Sequence, residues 1–358
     1  MIDGFSQRAA LVTGGAGFVG SNLVRALLAA GASRVRVIDN LLSAERWNVP
    51  ADDRVEFVEG SVADDRVLER IGDENDYIFH LCVYHGNQSS MRNPLADHEH
   101  SQLTTLKLFE RVKSFRRLTK LVYAGAGCAV AKKTSGEPDA TAEDAPITLE
   151  MDSPYSISKL VGEFYAVYYA RQHRAPFVRV RFQNVYGPGE ILGAGQWRGT
   201  PATVWRNVTP TFIYKALVGE RLPLEGGGDA TRDFVFVEDI VRGLMLAAVR
   251  GACGDVYNLA SGAETSIREL ALAINRLAAN TAPVEVLPGR AWDRSGRRYG
   301  DPAKARDALG FTTQVPLERG LEQTVAWTRA NLPAIARCIE RHAAAMAEYE
   351  RTYQHAAH

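Results

Sequence analysis

Short apolar runs alternate with longer amphipathic stretches through the first half of the chain. Positions 8–13 read as a buried strand, and the run through Leu23, Leu27 and Leu28 has the spacing of a helix that Gly31 ends. A second strand at 35–38 stops at Asp39. The alternation continues with a strand at 55–58, a helix at 64–71, a strand at 77–81, a helix at 103–112 and a strand at 120–124. Repeated strand–helix units predict a parallel sheet with helices on both faces. Further along, 176–182 reads as a sixth strand and a helix runs from Val208 through Leu217. The segments 234–249 and 256–259 should return to the sheet lobe, so no clean linker separates two lobes. The pattern therefore predicts a lobe at 1–186 completed by 234–259, and a smaller interleaved lobe from 187–233 and 260–332. A tail at 333–358, rich in Ala, Arg and Glu with helical spacing, is expected as a surface helix beginning at Pro333.

Composition narrows the setting. The chain has 358 residues with 42 basic and 42 acidic side chains, so no electrostatic case for a nucleic-acid partner arises. Its cysteines, Cys82, Cys128, Cys253 and Cys338, are far apart, with no CxxC and no paired His ligands. That spacing argues against a structural zinc and a disulfide scaffold, and makes a reduced cytoplasm the simplest location. The start at Met1 reaches its first strand by about Ala9, leaving no room for a signal peptide, and no apolar run approaches membrane-spanning length.

The first strand leads into Gly14-Gly15-Ala16-Gly17-Phe18-Val19-Gly20 and then into a helix. Glycines there permit a tight turn and bring backbone N–H groups close to a pyrophosphate, at a helix end that favours anions. Asp39, at the end of the second strand, stands where an acid accepts hydrogen bonds from an adenosine ribose and repels a 2′-phosphate, favouring NAD over NADP. Strand, glycine turn, helix, strand and terminal acid together make a Rossmann-like dinucleotide unit, so the predicted fold class is α/β with a Rossmann-like doubly wound parallel sheet and a smaller interleaved C-terminal lobe.

A second motif is Tyr155-Ser156-Ile157-Ser158-Lys159. On a helix its Tyr and Lys lie on one face. An ammonium beside a phenol favours phenolate, and a Tyr so tuned can exchange a proton with a sugar hydroxyl. By itself the motif also fits an ordinary amphipathic helix.

Taken in order, TGGAGFVG ending at Gly20, the pair Asp39-Asn40, Phe79-His80-Leu81, and YSISK at Tyr155 resemble the extended short-chain dehydrogenase/reductase family. RFQNVYGPG ending at Gly189 and RDFVFVEDI beginning at Arg232 extend the resemblance toward its nucleotide-sugar epimerases, dehydratases and decarboxylases. It implies Tyr155 as catalytic base and Lys159 as its partner, which also binds the nicotinamide ribose. The implied cofactor shell is Gly14, Gly17, Phe18, Val19, Gly20, Asp39, Asn40, Ser61, Val62, Leu81 and Val83. Implied substrate ligands are Asn184 for the diphosphate, Val208 at the helix that holds base and ribose, and Arg232 and Arg298 as diphosphate or ribose ligands, with Arg297 in the same stretch. The loop with Tyr84, His85 and Gln88, at the carboxyl end of the sheet, could reach sugar hydroxyls. His98 and His100 are expected to be structural or solvated, and 190–207 reads as a lid.

The chain departs from the family pattern after the fifth strand. Ala126 stands where relatives usually carry Ser or Thr, and Cys128 where dehydratases and decarboxylases generally carry Glu. GDP-mannose 3,5-epimerase-like enzymes also have Cys there, although their Lys-containing stretch near the lid is missing. A thiol near a cation is a plausible acid/base at carbon, and Cys128 is equally readable as a small packing residue. The leading expectation is an NAD-dependent nucleotide-sugar epimerase, working through a 4-keto sugar with Tyr155, Lys159 and Cys128. Alternatives are a uronic acid decarboxylase or 4,6-dehydratase of the same family, a non-catalytic NAD-sensing protein, or a simple reductase. Apolar helix faces at 103–112 and 160–169 suggest a homodimer through a four-helix bundle.

Overall fold

The computed structural model describes residues 2–84, 86–127, 139–147, 149–289 and 296–354. The strands of the sheet lobe are β1 (Ala9–Thr13), β2 (Arg34–Asp39), β3 (Val55–Glu59), β4 (Tyr77–His80), β5 (Lys120–Ala126) and β6 (Phe177–Phe182). The second half adds β7 (Asn184–Tyr186), β8 (Pro223–Glu225), β9 (Thr231–Arg232), β10 (Phe234–Phe236), β11 (Val256–Leu259), β12 (Thr265–Ser266) and β13 (Glu285–Leu287). The helices are α1 (Phe18–Ala29), α2 (Asp65–Leu68), α3 (Asn87–Arg92), α4 (Pro94–Asp97), α5 (Thr104–Val112) and α6 (Pro154–Gln172). They continue with α7 (Val208–Leu217), α8 (Val237–Arg250), α9 (Ile267–Ala278), α10 (Ala303–Leu309), α11 (Leu317–Glu340) and α12 (Ala343–Gln354).

A seven-stranded sheet in the order β11-β6-β5-β4-β1-β2-β3 forms the centre, and every pairing in it is parallel. This is the predicted Rossmann-like sheet. Alternate strand residues feed opposite faces, as strand geometry requires. Val12 and Val122 join α1 and α8 in one apolar cluster. Leu11, Leu121 and Tyr123 join α5 and α6 in the other. A separate cluster in the second half packs Phe212, Leu224, Phe236, Leu270 and Leu321 together.

Several elements differ from the sequence pattern. The helix expected at 64–71 is the single turn α2, where Asp64 accepts a hydrogen bond from the Arg66 N–H and the chain then turns away. The helix expected at 103–112 begins far earlier. Asn93 caps α4 with Pro94 in its first turn, and a π-helical segment, His98–Leu103, carries the helix into α5. Pro333 does not begin a helix but lies inside α11, and Ile335 and Cys338 beyond it are buried against Ile191, Leu192 and Ala194. The last turns of α11 are therefore packed on the 190–207 segment, while α12 after them is largely exposed, as expected of a surface helix.

Candidate active site

The carboxyl ends of β1, β2 and β4 build one half of the site. Gly14 has φ +76°, and a Cβ there would stand 2.7 Å from the Cys82 nitrogen, so only glycine fits between β1 and β4. A Cβ at Gly20 would meet the Gly14 carbonyl at 2.2 Å, which fixes how closely α1 approaches the turn. Gly17 precedes α1 with no side-chain cap and no acid in the first turn, so the positive helix end is available to an anion.

Asp39 is buried at the end of β2. Its carboxylate accepts hydrogen bonds from the Ala16 N–H and the Leu41 N–H, both at 2.9 Å. Burial raises its pKa against the lowering pull of those backbone bonds. A cleft beside it is lined by Asp39, Asn40, Leu42, Ser61, Val62, Val83 and His100. Leu81 follows β4 and bonds through its N–H to the Thr13 carbonyl at 3.0 Å. Phe18 and Val19 open α1. Asn48 ties the glycine turn to the second lobe, donating to the carbonyls of Ala16 at 3.3 Å and Gly189 at 3.1 Å.

Helix α6 enters through Ser153, whose hydroxyl accepts the Ser156 N–H, with Pro154 in the first turn. Tyr155 and Lys159 follow on one face. The Tyr155 N–H bonds to the Ser90 hydroxyl at 3.1 Å. Lys159 is buried and donates to the Ala124 carbonyl at 2.8 Å, with its ammonium 5.5 Å from the Tyr123 ring centre. Gly162 lets α6 rest on β5, because a Cβ there would come within 2.0 Å of the Tyr123 hydroxyl. Ser158 donates to buried Asp97 and accepts from Gln102 at 3.0 Å, so the serines of the motif lock the helix in place. Ala126 packs with Tyr155, Leu160 and Met151, so the position that lacks a hydroxyl does lie beside the tyrosine. Below them His80 bonds Thr13 at 2.7 Å and Thr105 at 3.0 Å. Burial, then the Lys159 cation, holds it down to about 3, and it stays neutral. Burial likewise pushes the Cys82 thiol up to about 11, which makes it inert.

The other anticipated residues are placed as follows. Asn184 lies in β7 and Val208 opens α7. Arg232 is buried on β9 and donates to the Thr231 carbonyl at 2.7 Å and the Gly296 carbonyl at 3.3 Å. Arg298 pairs with Asp152 at 2.8 Å, just before α6, while Arg297 is committed to Glu264. Gln88 sits on α3. Tyr84 is buried and stacked on His100 with ring centres 6.0 Å apart, so its ring serves packing. His100 is not a surface residue: the π-helical segment turns it into the cleft beside Asp39, a placement for which the sequence carries no periodic signal. Cys128 and His85 lie outside the described residues. Buried Asp97, which accepts from Ser158 of the motif, escaped sequence reasoning.

The family model described as "NAD dependent epimerase/dehydratase family" matches residues 10–260. The chain belongs to this family. Its structure superposes on that of the Bordetella bronchiseptica enzyme WbmF in complex with NAD+ and UDP, with a TM-score of 0.88 and 56% identity over 96% of this chain and 99% of that one. A UDP-glucose 4-epimerase of Mycolicibacterium smegmatis is 32% identical over 323 residues, 89% of this chain and 98% of that protein. A dTDP-glucose 4,6-dehydratase of Streptomyces antibioticus is 30% identical over 337 residues, 90% of this chain and 92% of that protein.

NAD is accordingly the cofactor, and the residues present fit it. The glycine cradle that any Cβ would fill, the uncapped start of α1 and the buried Asp39 carboxylate suit a diphosphate and an adenosine ribose. No described helix is long and apolar enough to cross a membrane.

Proposed function

We propose that this chain is an NAD-dependent epimerase of a nucleotide-diphosphate sugar, acting through a transient 4-keto sugar. The observation that carries the reading is the Lys159 ammonium held on the Ala124 carbonyl, with Tyr155 one helical turn before it at the carboxyl end of β5. Bound NAD supplies a reversible hydride acceptor. Tyr155, as the phenolate that the Lys159 cation favours, removes the proton of the C4 hydroxyl, holds it as the phenol while the sugar is a ketone, and returns it when the ketone is reduced. The neutral His80 beneath Lys159 adds no competing charge. Arg232, Arg298 and Asn184 would hold the diphosphate, and the first turn of α7 the nucleoside. UDP is the nucleotide favoured by the relatives described above.

Cys128 is proposed as the proton carrier at carbon, because Ala126 removes the usual hydroxyl beside Tyr155 and neither 126 nor 128 is acidic. Incubation with a panel of UDP-sugars in D₂O tests the reading. Solvent deuterium at C3 or C5 supports proton exchange through Cys128, and inversion at C4 without deuterium supports hydride return to the opposite face. Release of CO₂, or a 4-keto-6-deoxy product, would overturn epimerisation in favour of the decarboxylase and dehydratase chemistries found in the same family.

A homodimer is also proposed. Ile157, Phe164 and Tyr168 are 45%, 53% and 51% exposed on α6, an apolar stripe at helical spacing that a second copy would cover. Light scattering that returns a monomer at micromolar concentration would reject it.

A further inference from the structure

Gln183 stands between the end of β6 and the start of β7, and the reaction scheme makes no use of its side chain. It is half-buried. Its amide makes no hydrogen bond to any described residue, and neither amide atom is fully enclosed. Two glycines frame it instead. A Cβ at Gly127 would stand 2.5 Å from the Gln183 Nε2 and 2.8 Å from its Oε1. A Cβ at Gly300 would stand 2.6 Å from the same Nε2. Neither glycine has a positive φ, so the backbone does not demand them. Their missing side chains leave room for the amide. A half-buried polar group held in one place normally has a partner, and no described residue supplies one.

Contacts on each side put this amide in the sugar's half of the site. In the β5–β6 pairing Ala126 lies opposite Phe182, so Gly127 and Gln183 are the next residues of the two strands. Ala126 packs against Tyr155. The amide is thus one residue beyond the position beside the base, at the carboxyl ends of β5 and β6, where ligands of such sheets bind. Gly300 closes the other side from the second lobe, its N–H donating to Asp233 at 3.3 Å. Thr141 accepts the Asp301 N–H at 2.9 Å and donates to the Tyr299 carbonyl at 3.0 Å, which fixes this stretch against the segment that follows β5. Arg298, two residues before Gly300, pairs with Asp152, three residues before Tyr155, at 2.8 Å. The stretch from Arg298 to Gly300 therefore leads from the entrance of α6 to the amide. Asp39, expected to hold the adenosine ribose, is on β2, with β5, β4 and β1 between it and β6.

We propose that Gln183 is a specificity-determining residue whose amide hydrogen-bonds a polar substituent on a sugar carbon next to C4. The assignment rests on the reading that the substrate is a sugar nucleotide oxidised at C4 by Tyr155. An amide both donates and accepts, so it suits a hydroxyl, an acetamido group or a carboxylate at that carbon. A sugar with only hydrogen there would leave the amide unpaired, which is how such a site discriminates.

The test is calorimetric titration of NAD-loaded full-length protein with UDP, UDP-glucose, UDP-N-acetylglucosamine, UDP-glucuronic acid and UDP-xylose, and of the NAD-stripped protein with NAD. Gln183→Ala should weaken the tightest of the UDP-sugars by about 3–10-fold, the range for one lost neutral hydrogen bond, and leave UDP and NAD unchanged. Its melting temperature should stay that of the parent, because the amide bonds to no described residue. Gln183→Met keeps the length of the side chain without its polar end; it should repeat the loss, and it replaces the Ala variant if circular dichroism finds that one unfolded. Gly127→Ala, whose methyl lands on the amide, should cost as much in the parent and nothing further in the Gln183→Ala background. UDP-xylose has no C6, so equal affinity for it in parent and variant puts the bond on the C5 substituent, and the same loss puts it at C3. Unchanged affinity for every UDP-sugar in a folded variant overturns the proposal. So does a fall in NAD affinity, which would give the amide to the nicotinamide. A parent that binds none of the UDP-sugars removes the sugar-nucleotide reading and this assignment with it, whereas a parent that binds one, beside variants that bind it equally well, removes the assignment alone.

Discussion

Glu190 offers a sharp test of the buried electrostatics in the 190–207 segment. Its carboxyl is 5% exposed; one oxygen accepts from the Asn207 amide and the other has no partner among the described residues. Burial pushes it up to about 7 from an ordinary 4.5, despite the Asn207 bond and the Arg206 cation. Between those values the folded chain holds a proton that the unfolded chain has released. Stability conferred by the neutral acid is thus complete below about pH 4.5 and is lost as pH rises to 7. The interval from 4.5 to about 7, at about 1.36 kcal/mol per unit, amounts to about 3 kcal/mol. Glu190→Gln removes the titration and still accepts from Asn207. The variant should match the parent to within about 1 kcal/mol at pH 5 and exceed it by about 3 kcal/mol at pH 8. At about 2.1 cal/mol/K of unfolding entropy per residue, a chain of 358 residues shifts by about 1.3 °C per kcal/mol, so the melting temperatures should separate by about 4 °C at pH 8. Parallel thermal melts of both proteins at the two pH values decide the matter. A separation that is the same at both, or that grows toward acid, refutes the assignment of a neutral buried carboxyl.

Further outcomes follow from the same geometry. Tyr155→Phe should cost turnover about 10²–10⁴-fold while NAD titrates as in the parent; retained activity removes Tyr155 as the base. Asp39→Ser should weaken NAD and narrow its advantage over NADP, as read by calorimetry with both cofactors, and an unchanged preference would sink the ribose role of Asp39. Gly20→Ala places a methyl 2.2 Å from the Gly14 carbonyl, so the protein should purify without NAD and melt earlier; full NAD occupancy in the absorbance spectrum contradicts this. Ile335→Ala opens a cavity beneath the 190–207 segment and should cost about 2–4 kcal/mol in denaturant melts, whereas a loss under about 0.5 kcal/mol would mean that the last turns of α11 are only laid on that segment.

The sheet was legible because its signals are local and periodic. A glycine turn between a buried strand and an amphipathic helix leaves few alternatives, and Asp39 and Tyr155-to-Lys159 are read at fixed offsets from such elements. What escaped depends on contacts distant in sequence. Nothing around 64–71 announces that the helix stops after one turn: Asp64 caps its start by accepting the Arg66 N–H, and the chain leaves the helix at Glu69. The rotation that swings His100 into the cleft is a π-helical step without a sequence period. Arg198 looks like any arginine of a polar insertion, yet it is buried and bonded to the Leu42 carbonyl, 156 positions away. Pro333 read as a break because proline usually opens or ends helices, yet α11 runs through it, with residues on both sides of it buried.

That helix spans 24 residues, about 36 Å at the usual rise. Leu321 and Val325 near one end belong to the core of the second lobe, and Ile335 and Cys338 near the other grip the 190–207 segment. A rod fixed at both ends acts as a lever. A change at either end of α11 is therefore felt by both the core of the second lobe and the 190–207 segment. One helix thus ties the packing of the second lobe to the seating of an insertion far from it in sequence.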